Sequence, residues 1–290
     1  MMMADALKPP EIVTPVRTLA ALREKIADLR AGGGKIGFVP TMGALHEGHL
    51  ALVREARRLS DKVVVSIFVN PMQFAPTEDL DRYPRTEAAD IALLQEVGCD
   101  LVYLPTREIL YPQGFVSRIE LGGPALGLET EFRPQFFSGV ATVVMKLFNQ
   151  VRPDIAVFGE KDYQQLAVIR AMARDFDMDI TVVGHPTVRE ADGLALSSRN
   201  SYLSAEERVI APKLQQALLR VREAALAGED TRRAIDDAGI DLIETGFDKI
   251  DYIALRDADS LSEITPDTKA SRILAAVWLG KTRLIDNIAV

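Results

Sequence analysis

Two histidines three residues apart lie in a segment that could bind an anion. His46 and His49 belong to the run Met42-Gly43-Ala44-Leu45-His46-Glu47-Gly48-His49, which follows a short apolar stretch and opens a predicted helix. Free backbone N–H groups and the helix dipole attract anions at such a position, but the dipole contributes only about 0.3–1 kcal/mol, so side chains must add to it. Gly48 has no Cβ and would let a phosphate approach the backbone. A neutral imidazole can donate one N–H to an oxyanion.

Two other interpretations of this segment are open. It could be a structural turn with surface histidines. A histidine pair also resembles half of a metal site, but the remaining histidine is His185 and the chain has no cluster of cysteines. The helical zinc motif of metalloproteases spaces its histidines four residues apart, not three. The sequence therefore favours an anion site over a zinc site.

Two further segments combine positive charge with hydrogen-bonding groups. The run Gly159-Glu160-Lys161-Asp162 directly follows the strand-like DIAVF, and Lys161 could meet a phosphate there as a point charge. The alternative is a polar turn with Asp162 as a helix N-cap. The run Leu196-Ser197-Ser198-Arg199 could hold phosphate oxygens, because a guanidinium is suited to forked contacts with them. Such residues are also common in plain loops.

Neutral amides accompany these charges. Asn70 and Gln73 lie in FVNPMQF at the end of a strong strand, and Gln165 follows the Gly-Glu-Lys-Asp turn. An amide donates and accepts at once, so it suits a ligand with hydroxyl and carboxylate groups. An ordinary Asn-Pro turn is the alternative for the first pair. Arg133 is a candidate anion contact or a solvated loop arginine.

Alternating apolar strands and helices must position these segments. Strands are predicted at 35–40, 62–69, 101–104, 154–158 and 180–183, with helices at 16–30, 48–59, 86–97, 140–148 and 164–176. Near-continuous apolar strands between helices indicate a parallel sheet covered on both faces. Ligands then bind at the carboxyl ends of the strands, near a topological switch point.

The pattern changes after residue 186. One long charged helix is predicted over 204–226 and another over 231–245, followed by strands at 249–256, 271–279 and 283–288, the last two joined by a hairpin at Gly280-Lys281. The sequence thus predicts an α/β fold. It has a Rossmann-like parallel sheet domain over residues 1–186 and a smaller C-terminal α+β lid domain over residues 187–290.

Composition limits the classes of partner. The formal net charge is −8 over 290 residues, which argues against a general affinity for nucleic acid or anionic membrane. No apolar run approaches the length of about 20 residues that spans a bilayer. The N-terminal run MMMADALKPPEIVTP lacks a signal-peptide pattern, and the single cysteine, Cys99, excludes an intrachain disulfide. We expect a cytoplasmic protein.

Taken in order, the segments resemble the pantoate–β-alanine ligase family. The runs that carry this resemblance are MGALHEGH, FVNPMQF, DLDRYPRT, GVATVVMKLFN, FGEKDYQQL and TVREADGLALSSRN, densest from Gly37 to Asn200. The HxGH element is shared with a wider nucleotidyltransferase superfamily, whereas FVNPMQF, GEKDYQQ and DGLALSSRN are more specific. The resemblance implies that pantoate attacks the α-phosphorus of ATP to give pantoyl adenylate and pyrophosphate. The amine of β-alanine then displaces AMP to give pantothenate.

The same resemblance assigns residues to roles. His49 takes the proton-donor role, and Val188 binds adenine through its backbone. Gln73 and Gln165 hold pantoate, with Gln73 later contacting β-alanine. The ATP-binding residues are Met42, Gly43, Ala44, Leu45, His46, Glu47, Gly48, His49, Gly159, Glu160, Lys161, Asp162, Val188, Leu196, Ser197, Ser198 and Arg199. Mg²⁺ is implied as the ion that bridges the phosphates. A homodimer is also implied, with the region of the strand 62–69 as its predicted interface.

Three departures from the family pattern bear on these roles. Leu196 stands where Met is usual, a change of similar volume. Ala89-Asp90 stands where an acidic pair is common, so a metal contact on that helix depends on Asp90 alone. The loop 133–137 lacks the usual Gly-His after Arg-Pro.

Two other functions are weighed against this one. Another HxGH nucleotidyltransferase, acting on a phosphorylated substrate, would favour more Lys and Arg in the substrate half. A non-catalytic nucleotide-binding module is disfavoured by the intact histidine pair, Lys161 and Arg199.

Overall fold

A computed structural model of the protein describes residues 13, 15–75, 78 and 80–290. Most of the N-terminal run in which no signal peptide was predicted lies outside this range, as does Asp79 at the start of DLDRYPRT. No helix in the described part of the chain is both long and apolar enough to cross a bilayer.

A five-stranded parallel sheet forms the larger unit. Its strands are β1 (Ile36–Thr41), β2 (Lys62–Ile67), β3 (Leu101–Tyr103), β4 (Ile155–Gly159) and β5 (Thr181–His185), in the spatial order β3-β2-β1-β4-β5. All five predicted strands are confirmed, with ends shifted by one or two residues. Their apolar runs are buried because helices cover both faces of the sheet.

The helices of this unit are α1 (Leu19–Arg30), α2 (Glu47–Leu59), α3 (Glu87–Glu96), α4 (Arg107–Leu110), α5 (Glu129–Phe132), α6 (Phe136–Val151) and α7 (Tyr163–Asp175). The helix α1 begins later than predicted because the Thr18 side chain caps it, accepting from the N–H of Ala21. The helix α6 begins four residues earlier than predicted. Its Gly139 permits close packing, because a Cβ there would overlap the carbonyl oxygen of Met72.

The strand order creates a switch point at the centre of the sheet. From β1 the chain passes through α2 to β2 on one side, while β4 pairs with β1 on the other side. The segments after β1, β2 and β4 therefore meet at one edge, where ligands of such sheets bind. This edge carries the histidine pair, Gln73 and Lys161.

The C-terminal part contains α8 (Ala205–Ile210), α9 (Lys213–Leu226), α10 (Thr231–Glu244) and an antiparallel sheet of β6 (Lys249–Asp257), β7 (Ser271–Leu279) and β8 (Thr282–Ala289). The predicted hairpin between the last two strands is confirmed. The prediction of one helix over 204–226 is wrong. The helix breaks at Ala211-Pro212, because proline has no N–H for the helical hydrogen bond and its ring crowds the preceding turn.

The middle of strand β2, in the region predicted as a dimer interface, is enclosed within its own subunit. It is hydrogen-bonded to β1 on one edge and to β3 on the other, and Val63, Val64, Val65 and Ser66 are fully buried. These four residues are therefore used within the subunit, and an interface in the region 62–69 stays a prediction. The division of the chain into domains at residues 186 and 187 stays a prediction.

Candidate active site

A cleft of about 1040 Å³ lies between the carboxyl edge of the parallel sheet and the C-terminal sheet. The predicted site residues that line it are Met42, His49, Gln73, Lys161, Asp162, Gln165, Ser197 and Arg199. The predicted residues that do not line it are Gly43, Ala44, Leu45, His46, Glu47, Gly48, Gly159, Glu160, Val188, Leu196 and Ser198. The structure thus brings residues from four separate segments to one cavity.

The loop after β1 is held in its shape by Asp90. Gly43 and Ala44 adopt left-handed conformations, with φ of 84° and 51°. The carboxylate of Asp90 accepts hydrogen bonds from the N–H groups of Ala44 at 3.0 Å and Leu45 at 2.9 Å, and the Thr86 hydroxyl donates a third at 3.1 Å. Three short bonds hold this strained turn in place at the start of α2.

The metal contact predicted for Asp90 stays a prediction, and the structure shows a separate role for its side chain in the loop. Its side chain is only 2% exposed, and both of its oxygens already accept hydrogen bonds within the protein. In the described ranges, no group of three or more His, Cys, Asp or Glu side chains is placed to hold a metal ion. Asp90 is therefore a structural support of the loop.

The two histidines are oriented by backbone hydrogen bonds at the start of α2. Nδ1 of His46 accepts from the N–H of Gly48 at 3.2 Å, and Nδ1 of His49 accepts from the N–H of His46 at 3.4 Å. A neutral imidazole with an accepting Nδ1 carries its hydrogen on Nε2. The structure therefore favours the tautomer in which each ring can donate from Nε2 to a ligand.

Burial keeps both rings neutral. Desolvation, followed by the positive charge of Lys161, lowers the pKa of His46 to about 4. Desolvation, followed by His46 and Lys161, lowers the pKa of His49 to about 3. The ring centroids are 4.1 Å apart, so two imidazolium ions would repel each other strongly. Near neutral pH the pair supplies hydrogen-bond donors without net charge.

The turn after β4 presents Lys161 to the cleft. Its ammonium is 3.9 Å from the carboxylate of Asp162, and its side chain is one-fifth exposed. The amide of Asn287 on β8 donates to the carbonyl oxygens of Glu160 at 2.8 Å and Lys161 at 2.9 Å. The carboxylate of Glu160 pairs with Arg272 at 3.2 Å. Asp162 occupies the N-cap position of α7, as the alternative interpretation predicted, although its side chain makes no cap hydrogen bond.

The loop before α8 folds back on itself beside the cleft. The N–H of Leu196 donates to the carbonyl of Val188 at 3.0 Å, and Ser197 caps the next turn by accepting from the N–H of Arg199 at 3.3 Å. The hydroxyl of Ser198 lies 3.2 Å from that of Tyr83, which was not predicted from the sequence. Ser197 and Arg199 therefore face the cleft, while Ser198 fixes the loop to the first unit.

The two glutamines differ in how they are held. Gln73 donates to the sulfur of Met42 at 2.9 Å and accepts from the amide of Asn70 at 3.1 Å. Asn70 is buried and also accepts from the Tyr111 hydroxyl at 2.8 Å. The side chain of Gln165 makes no hydrogen bond within the described ranges, so its donor and acceptor are both available to a ligand.

Arg133 is neither solvated nor free. It forms a bidentate ion pair with Glu78 at 2.6 and 2.7 Å and donates to the carbonyl of Gln73 at 3.0 Å. Sequence reasoning also missed Glu129, which pairs with Arg283 of β8. These partners lie far apart in the chain, and their types and spacing carry no local pattern.

The fold and the cleft define a nucleotide-binding α/β enzyme of the HxGH type. Its histidine pair opens a helix at the switch point of a parallel sheet, opposite a lysine turn and an arginine loop. A family model described as pantoate-beta-alanine ligase matches residues 14–289, and the chain belongs to that family.

Individual relatives agree along nearly the whole chain. A pantothenate synthetase of Mesorhizobium japonicum is 53% identical over 281 residues, covering 97% of this chain and 98% of its own. The crystal structure of pantothenate synthetase from Thermus thermophilus has a TM-score of 0.88 and 48% identity, covering 95% of this chain and 99% of that one. A Francisella tularensis pantoate-beta-alanine ligase, complexed with beta-gamma ATP and β-alanine, has a TM-score of 0.81 and 35% identity. It covers 95% of this chain and 97% of its own.

Proposed function

We propose that this enzyme joins pantoate to β-alanine in two steps at the cleft, with His49 as its catalytic residue. A pantoate carboxylate oxygen attacks the α-phosphorus of ATP, and the bond to pyrophosphate breaks. The amine of β-alanine then attacks the acyl carbon of pantoyl adenylate and loses a proton, while AMP leaves with the bonding electrons. The observation that carries the proposal is the histidine pair near Lys161, in which each Nδ1 accepts a backbone N–H and each Nε2 is left to donate to a ligand.

The first step brings a carboxylate towards a polyphosphate, so it needs neutralised charge and alignment. His46 and His49 donate hydrogen bonds from Nε2 to phosphate oxygens as neutral rings, while each Nδ1 accepts a backbone N–H. Lys161 and Arg199 supply the positive charge across the cleft. The N–H groups at the start of α2 add the helix dipole. Together these groups stabilise the charge that develops on the phosphates.

Pantoate is bound by the amides at the carboxyl edge of the sheet. Gln165 has both its donor and its acceptor available, as a ligand with a hydroxyl and a carboxylate requires. Gln73 is already held by Met42 and Asn70, so it offers a fixed contact. Val140, Val143 and Val144 of α6 line the same cleft and suit the apolar part of the acid.

Adenine binds beside the loop of residues 188–196. The carbonyl of Val188 accepts one hydrogen bond from Leu196, which leaves its second lone pair for the base. Asp162, Glu160, Ser197 and Ser198 complete the nucleotide site in this proposal, with Glu160 contributing through its backbone because Arg272 pairs with its carboxylate.

Mg²⁺ fits this site as an ion that would be bound mainly by the phosphates of ATP. It usually keeps several waters and takes only one or two protein carboxylates. Asp162 lines the cleft beside Lys161 and is a carboxylate that would hold it. When bound, the ion would supply positive charge that reduces the repulsion between the phosphates and the incoming carboxylate.

We also propose that the enzyme works in the cytoplasm, where ATP is made, and as a homodimer. Residues 187–290 would act as the lid, since β7 and β8 contribute to the cleft wall.

Pantoate-dependent exchange of labelled pyrophosphate into ATP tests the function. We expect exchange with pantoate and no β-alanine, and net pantothenate formation once β-alanine is added. Gln165→Leu should retain ATP binding and lose the pantoate-dependent exchange. A folded wild-type protein that binds ATP but shows no exchange would overturn the proposal. Exchange with a phosphorylated substrate instead would indicate a different nucleotidyltransferase.

A further inference from the structure

A buried carboxylate joins the C-terminal sheet to the first unit. Glu129 of α5 is 6% exposed. Arg283 of β8 donates to its two oxygens at 2.7 and 2.9 Å, and the hydroxyl of Tyr252 on β6 donates at 3.0 Å. Its backbone N–H donates to the side chain of Gln164 at 3.1 Å. Glu129 is therefore held from both sides of the cleft.

The contacts continue from Glu129 to the turn that carries Gln73. Arg133, one helical turn further on, approaches Glu129 at 3.5 Å and donates to the carbonyl oxygen of Gln73 at 3.0 Å. Its guanidinium also stacks on Phe136, 3.8 Å from the ring centroid, and pairs with Glu78. Three contacts in series thus connect β8 to the Gln73 turn, through Arg283, Glu129, Arg133 and the Gln73 carbonyl.

The charges in this connection balance. Glu129, Asp251 and Glu78 are matched by Arg283, Lys249 and Arg133. Nη2 of Arg283 is already buried without a hydrogen-bond partner in the described ranges. Loss of the Glu129 charge would remove one carboxylate partner from Arg283 and one from Arg133. Removing one partner of a buried ion pair is strongly destabilising. We therefore expect Arg283, Glu129 and Arg133 to shift together.

We propose that Glu129 and Arg133 are positioning residues for the acid substrate. They couple the position of the C-terminal sheet to the position of the Gln73 turn. This inference depends on the proposed function, in which Gln73 contacts pantoate. The turn is packed on its other side against Gly139 of α6. Arg133 supports the turn from the side of α5, and in this proposal the pairing of Arg283 with Glu129 contributes to its position.

Two other hydrogen-bonded contacts between the parallel-sheet unit and the C-terminal part end elsewhere. Asn287 binds the carbonyls of Glu160 and Lys161, next to the nucleotide, and Tyr163 donates to the carbonyl of Ala258 at 3.0 Å. Neither of these contacts reaches Gln73. Disturbing Glu129 should consequently affect the acid more than ATP, whereas general loosening of the interface would affect both.

Pantoate-dependent pyrophosphate exchange on the full chain separates these outcomes. We expect Glu129→Gln to raise the KM for pantoate about tenfold, within the usual range of coupling between sites, and to leave the KM for ATP within about twofold. Arg283→Met should do the same. The double variant should be no worse than either single variant, because both break one connection.

Matched variants guard against a purely structural effect. Tyr163→Phe removes an interface hydrogen bond outside the connection and should leave the pantoate KM unchanged. If Glu129→Gln does not fold, Tyr252→Phe removes only one bond to Glu129 and should still raise the pantoate KM selectively.

Additive effects, equal increases in both KM values, or an unchanged pantoate KM in Glu129→Gln would overturn the inference. An inactive wild-type protein would instead refute the proposed function. The two failures are therefore distinguishable.

Discussion

Nδ1 of His49 accepts the backbone N–H of His46, so the two histidines are linked through one ring nitrogen and one amide. This link fixes the orientation of the catalytic ring and leaves Nε2 as its free donor. The spacing of the two residues makes this hydrogen bond possible. The accepting ring of His49 is at the third helical position, and the donating N–H of His46 is at the N-cap.

Replacements that mimic one ring nitrogen at a time test this role. His49→Asn places an acceptor near the Nδ1 position and removes the Nε2 donor, so adenylation should fall about 10²–10³-fold. His49→Gln can return an N–H near the Nε2 position and should retain more of the rate. Pyrophosphate exchange measures both, and thermal unfolding confirms that both fold. Equal activity of the His49→Asn variant and the wild-type protein would remove His49 from its role.

The lowered pKa values predict how stability responds to acid. Unfolded histidine titrates near pH 6.5, whereas the folded pKa values are about 4 for His46 and about 3 for His49. Well above pH 6.5 both histidines are neutral in the folded and the unfolded state, so they impose no cost on the free energy of unfolding. As the pH falls below 6.5 the unfolded state gains protons first, so each histidine costs up to about 1.4 kcal/mol of stability per pH unit until its folded pKa is reached.

Urea unfolding at pH 7.5 and 5.0 measures this effect. His49→Asn cannot take up the proton, so its stability should fall less than that of the wild type over this range. The same slope in both proteins would contradict the low pKa of His49.

Asp90→Asn separates a loop support from a metal ligand. The amide can accept from only one of the two loop N–H groups, so we expect a loss of about 1–3 kcal/mol in the free energy of unfolding and a higher KM for ATP. The Mg²⁺ concentration for half-maximal rate should stay unchanged. A large shift in that concentration would indicate a metal contact at Asp90.

Gly48→Ala should affect activity and stability differently. An added Cβ would lie 2.9 Å from Cε1 and 3.0 Å from Nδ1 of His46, so the ring must move. The gain of about 1 kcal/mol in helix propensity offsets a loss of about 1 kcal/mol from the cap. Unfolding should therefore change little while the KM for ATP rises severalfold. Gly32→Ala, where nothing lies within 4 Å of the added carbon, is the matched control.

Local patterns predicted the elements, because apolar periodicity and caps act within a few residues. Predicting the strands and the hairpin at Gly280-Lys281 needed no distant contact. Pro212 was a local signal as well, and it should have divided the predicted helix over 204–226. The length of α6 was underestimated because its first turn is held by packing against the Asn70–Gln73 turn.

The supports of the site could not be predicted in this way. Asp90 is separated from Leu45 by 45 residues, and Arg283 from Glu129 by 154 residues. No spacing rule relates such pairs, since the fold alone brings them together. The family resemblance identified groups expected to touch ligands. It did not identify Glu129, Arg283 or Asn287, or the loop-supporting role of Asp90.

The bond between Asn287 and the carbonyl of Glu160 spans 127 residues of chain and completes the lysine turn. Contacts of such long sequence separation form slowly, because a large loop must close before they stabilise anything. The parallel sheet can therefore assemble before Asn287 donates to the carbonyl groups of the turn that carries Lys161. During refolding we expect β-sheet structure to appear before ATP binding, so that catalytic competence is among the last properties this chain acquires.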